Sequence, residues 1–209
     1  MNTPKKFPPS AGIAIGPILF IIALLAVLAA VMAAGNGDFQ VAGNADRITD
    51  DIAAQANLIR NTINQCNLQY SLAVSTGSVA PTSDPYPATP ASGLVASLLC
   101  DPTGGAPLWN SGTSNILMPQ PTNGFNPWSY IDSGTTGGRC IWTTPTSSDP
   151  KGSSSIVSGL TRAAAKFNAS TAATANSEVI YNPASDSQKF VVWITMPASP
   201  ASADSHCLP

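Results

Sequence analysis

The chain holds few residues suited to acid–base or nucleophilic chemistry. Its one histidine, His206, stands beside Cys207, and its one glutamate is Glu178. Serines are plentiful, yet no Gly-x-Ser-x-Gly elbow occurs and no base is spaced to serve one. A phosphate-cradling glycine loop and a Cys-x-x-Cys pair are absent from the sequence as well. No catalytic, cofactor-binding or metal-binding residue is assigned, and the expectation is a protein that is not an enzyme. The residues with chemistry left to do are Cys66, Cys100, Cys140 and Cys207. An even cysteine count outside the reducing cytosol reads as two disulfides, with three possible pairings. Cys66–Cys100 with Cys140–Cys207 is the favoured one. Zinc fits poorly, because no two of these cysteines lie within four residues of each other.

Other polar and aromatic groups have an ordinary role beside a sharper one. Trp109, Trp128, Trp142 and Trp193 could stack a ligand, but tryptophans in a small sheet domain more often form core or edge cover. Asp50 and Asp51 could meet a cation, or could complement a helix dipole. Asp84, Asp101 and Asp186 sit in turn contexts. Asn168-Ala169-Ser170 matches a glycosylation sequon. Only 10% of residues are charged and the net charge is −2, so the chain lacks the basic footprint of a nucleic-acid binder.

The element that would position all of this is apolar. No charge occurs between Lys6 and Asp38. As a helix, residues 11–34 would measure about 36 Å at ~1.5 Å per residue, against a hydrocarbon core of roughly 30 Å. Lys5 and Lys6 ahead of it predict a cytoplasmic N-terminus and an exported remainder. A secretory signal peptide is the alternative, with residues 33–35 as a small-residue cleavage site. Gly35, Asn36 and Gly37 are expected to loosen or end this helix, so that the next one either continues it through a weak point or follows a short kink. Asn44 is a candidate N-cap for the next. From there Ile48, Ile52, Ala56, Ile59, Ile63, Cys66 and Tyr70 recur every three or four residues, one apolar stripe of a helix ending near Leu72.

Residues 75–92, with four prolines, read as loop, and residues 93–99 as one or two helical turns. Residues 101–127 are too rich in proline and glycine for long elements. Strands are expected at 128–131 and 139–143, joined by a hairpin turn over 133–138, and at 178–181 and 189–196. A helix is expected from Ser153 to about Ala165. The run KFVVWITM is nearly continuous in apolar, β-prone residues, which predicts a central strand packed on the long helix. Cys207 would staple the C-terminal tail to the sheet. The expected fold class is therefore α+β: a long N-terminal helix, membrane half plus amphipathic half, packed on a small antiparallel sheet and held by disulfides.

This plan resembles the type IV pilin superfamily, which includes the pseudopilins of type II secretion. The resemblance in residues covers about the first 70 and is architectural beyond them. It implies a leader (1–12) removed by a prepilin peptidase between Gly12 and Ile13, with cleavage between Ala11 and Gly12 as the alternative. A transmembrane and assembly helix (13–35) would follow, then an exported α+β domain (36–209). Gly16, Pro17, Phe20, Leu24 and Leu28 would lie on the assembly helix. Most bacterial members carry glutamate at the fifth mature position, where this chain has Pro17; some members, including tip-type minor pseudopilins and archaeal pilins, also lack it. The implied function is a structural subunit of a pilus-like or pseudopilus filament. Its partners would be other copies or related subunits, the peptidase and the inner membrane. Its location would be a single inner-membrane pass with the N-terminus inside, then a periplasmic or extracellular filament. The alternative is an unprocessed single-pass envelope protein with a binding or adhesion domain outside.

Overall fold

The structure is a computed structural model, and it describes residues 15–74, 87, 92–100, 107–109, 116–172 and 177–209. The expected cleavage residues Gly12 and Ile13, and Asp84 and Asp101, lie outside the described residues. The chain divides into two compact units, Met1–Ala42 and Gly43–Pro209.

Helix α1 (Ile15–Val74) begins in the first unit and ends in the second. It runs through Gly35–Gly37, which the sequence marks as either a weak point in one helix or a kink between two. Two glycines cost about 1 kcal/mol each relative to alanine, and a helix already nucleated on both sides can absorb that. In the first unit the side chains of residues 16–32 are all exposed.

Among the described residues, no helix is long and apolar enough to cross a membrane. Further along, α1 turns polar, with Gln40, Asn44, Asp46 and Arg47 exposed. This corrects the expected membrane half of the fold. It also corrects the single inner-membrane pass with the N-terminus inside, and the later periplasmic or extracellular filament, which depended on that pass. What stands of the expected fold class is an α+β fold with a small open antiparallel sheet and two disulfides.

In the second unit the strands are β1 (Ser92–Leu94), β2 (Ser129–Asp132), β3 (Arg139–Thr143), β4 (Val179–Tyr181) and β5 (Phe190–Thr195). They form one antiparallel sheet in the order β1-β2-β3-β5-β4. A single helical turn, α2 (Gly134–Gly137), fills the hairpin connection from β2 to β3, which the sequence reads as a hairpin turn with extra length. Helix α3 (Ser154–Lys166) lies between β3 and β4 in the chain. Residues 93–99 differ from the expected helical turns. They finish β1 and continue as a 3-10 turn, Val95–Ser97.

Side chains on a strand alternate between faces, and this sheet buries both. On one face the stripe of α1 (Ile48, Ile52, Ala56, Ile59, Ile63, Cys66) and α3 (Leu160, Ala163) pack on Tyr130, Ile141, Val179, Phe190 and Val192. On the other face Ile131, Cys140, Ile180, Val191 and Trp193 pack with Cys207, Met196 and Ala203 of the chain's end. Residues of β5 go alternately to the two clusters, which explains its nearly continuous apolar run. Burial of Ile52, Ile59 and Ile63, each fully covered, stabilises the fold by about 1.5–3 kcal/mol apiece.

Disulfides hold both layers. Cys66 at the end of the α1 stripe is bonded to Cys100, and Cys140 of β3 to Cys207, with Cα atoms 5.7 and 5.8 Å apart.

Candidate functional site

Among the described residues, the one arrangement with the residue types of a hydrolase is a cluster that the sequence hid. Ser133 follows β2, and Asp204 and His206 lie near the C-terminus. The Ser133 hydroxyl donates to Asp204 Oδ2 at 2.5 Å, and His206 Nδ1 lies 2.8 Å from Asp204 Oδ1. Nucleophilic catalysis needs the imidazole between the serine and the carboxylate, so that it can take the hydroxyl proton. Here the carboxylate is in the middle. Burial works to raise the Asp204 carboxyl, and the hydrogen bonds from Ser133 and His206 outweigh it, leaving the group below its ordinary value. A carboxyl so held is a weaker base.

The cluster works as a latch. Asp204 N–H donates to the Gly137 carbonyl at 3.2 Å, and Ala198 N–H to that of Thr136 at 3.2 Å. Lys189 Nζ donates to the Leu208 carbonyl at 2.8 Å and sits 5.3 Å from the centre of the Trp142 ring, with His206 5.7 Å away on the same indole. These contacts seal the tail over the second face of the sheet.

Two further polar clusters are structural. Gln55 of α1 donates to the Gln120 carbonyl at 2.9 Å and to Thr122 Oγ1 at 3.1 Å, and accepts from Trp128 Nε1 at 2.7 Å. Arg139 pairs with Asp132 at 2.8 Å, both almost fully buried. Arg139 Nη2 and the Tyr130 hydroxyl both donate to the Pro87 carbonyl. Burial pushes the Tyr130 phenol up, Arg139 pulls it down and Asp132 pushes it up, leaving it well above its ordinary value. Asp132 faces Arg139 directly in the β2–β3 register; opposite charges at the two ends of one expected hairpin were the available sign.

The tryptophans are mainly core. Trp109, Trp128 and Trp193 are buried, and Trp109 Nε1 donates to the Val95 carbonyl. Asp50 and Asp51 are ion-paired, to Lys166 and Arg47, and Asp186 is paired to Lys151. Among the described residues no group of acids, histidines or cysteines could hold a metal ion. A small cavity of about 200 Å³ opens beside Asn44, Arg47, Thr122, Asn123, Ser153 and Ser155. It is smaller than the roughly 300–1,000 Å³ typical of ligand sites.

The surface without a structural explanation is in the first unit. Phe20, Leu24 and Leu28 recur at fourfold spacing, and Ile18, Leu19, Ile21, Ile22, Leu25, Val27, Val31 and Met32 fill the rest of the circumference. All are about half to two-thirds exposed. Gly16 opens onto free space, with nothing within 4 Å of where a Cβ would stand. Pro17 lies two residues past Ile15, the first described residue of α1.

No family model, curated protein or solved structure matches this chain. The filament-subunit reading, whether pilus or pseudopilus, and the single-pass envelope alternative thus have neither a membrane-crossing helix among the described residues nor a matching relative behind them. Both are withdrawn, with the membrane and secretion-system roles attached to them.

Proposed function

We propose that the protein acts by association rather than catalysis, and that the apolar stretch 16–32 of α1 takes the same stretch of other copies as its partner. The observation that carries this is the exposure of eleven large apolar side chains, from Ile18 to Met32. Together they present on the order of 1,000 Å², where monomers rarely expose a patch above a few hundred. One partner in a standard interface contributes about 800 Å². Like stretches can meet without charge repulsion, because no charge lies between Lys6 and Asp38. Removing this surface from water is favourable by roughly 25 cal/mol per Å² before association costs. The domain of residues 43–209 would then be what each copy displays.

Sedimentation velocity of the full chain over a hundredfold concentration range tests the reading. We expect masses at multiples of the monomer, and a return to monomer in Leu24→Asp/Leu28→Asp with the tryptophan emission of the second unit unchanged. A monomer at every concentration overturns the proposal, as does a chain that leaves solution only with phospholipid vesicles.

A further inference from the structure

We infer that Asn168 is an acceptor for an N-linked glycan. The motif Asn168-Ala169-Ser170 is the chain's only Asn-x-Ser/Thr match with a non-proline middle residue. Asn168 is exposed, just past the end of α3, with a φ of 49°. Its backbone N–H donates to Ala165, whereas its side-chain amide makes no hydrogen bond among the described residues.

A left-handed turn alone accounts for an asparagine at 168, since asparagine tolerates that conformation better than most residues. It does not account for Ser170. The fold uses Ser170 through its backbone: its N–H donates to Val179 and its carbonyl accepts from Tyr181, pinning the segment beside β4. Among the described residues its hydroxyl, half-exposed, is involved only in a 3.4 Å contact from Ala172 N–H. That hydroxyl is the part of the motif a transferase reads. The two disulfides fit the same oxidising surroundings in which such transfer takes place.

In the transfer, the Asn168 amide nitrogen bonds to C1 of an oligosaccharide carried on a polyprenyl pyrophosphate. The bond from C1 to the phosphate oxygen breaks, and the lipid pyrophosphate leaves with the electron pair. One amide proton passes to the transferase.

The test is peptide mass mapping of the full chain purified from its native source. Trypsin releases residues 167–189 as one peptide. We expect it to carry a saccharide mass that an amidase removes, leaving aspartate at 168. Ser170→Ala should abolish the added mass and Ser170→Thr should retain it, while both variants keep the wild-type unfolding midpoint. An unmodified 167–189 peptide in the native protein overturns the inference, as does a saccharide mass that persists in Ser170→Ala.

Discussion

Gly159 of α3 and Ile48 of α1 touch with no room for a methyl group between them. A Cβ built on Gly159 would stand 2.8 Å from both Cβ and Cγ2 of Ile48 and 3.0 Å from the Ala45 carbonyl. At the same crossing the Thr49 hydroxyl lies 3.0 Å from the Gly159 carbonyl. Gly159→Ala would gain up to about 1 kcal/mol of helix propensity, against overpacking that typically costs about 1–3 kcal/mol. Backbone and a β-branched carbon are the obstructing atoms, so overpacking wins. We expect a net loss of about 1–2 kcal/mol in urea unfolding; an alanine variant as stable as the parent would show that the helices separate freely.

Gln55 gives a second measurement. Its amide satisfies one carbonyl, one hydroxyl and one indole N–H in the buried layer. Gln55→Ala leaves those groups unpaired in an apolar setting, and each orphan costs about 1–3 kcal/mol. Partial relief by water brings the expected loss to about 2–4 kcal/mol. A changed emission of Trp128 should accompany it.

Much of this layer was legible in the sequence, because its information is local. The stripe from Ile48 to Cys66 lies on the buried face of α1, and the expected strands at 128–131, 139–143, 178–181 and 189–196 correspond to β2–β5 within two residues at each end. The unreadable parts depend on distant partners. β1 is three residues whose strand character comes from pairing with β2, so its own composition gave no sign of it. Ser133 and Asp204 are 71 residues apart, and no spacing rule links a turn to a tail. At Gly35–Gly37 local propensity leaves both a weak point and a kink open, and the continuous α1 takes the first, because helix formation is cooperative.

The tail latch should respond to acid. Asp204 has a folded-state value below its ordinary 3.8. A depressed carboxyl contributes stability above the unfolded value and loses it as pH falls through the folded value. Glu178, lowered by its hydrogen bond from Arg60, adds a weaker effect of the same sign, being exposed. We expect the melting temperature to fall as pH drops below about 4, and Asp204→Ala to flatten that fall. An unchanged profile in the variant would remove Asp204 from the latch.

Reduction should loosen both layers. Cys66–Cys100 and Cys140–Cys207 have sequence separations of 34 and 67, for which chain entropy gives about 4 kcal/mol each. Paired Cys140→Ser/Cys207→Ser should therefore lower stability by up to about 4 kcal/mol and raise dye binding at the second sheet face. Paired Cys66→Ser/Cys100→Ser should leave that face closed.

The tail that covers the second sheet face also sets a schedule. During synthesis, Cys66 waits 34 residues for its partner and Cys140 waits 67. At ~5–20 residues per second the second wait is about 3–13 s. Throughout it β3 exists with one flank of the sheet open, and β5, whose Val191 and Trp193 belong to that flank, is itself made only near the end of the wait. The newborn chain can thus complete its helix-covered layer as soon as β5 arrives, but it stays an unsealed half-sandwich until residue 207 has been added.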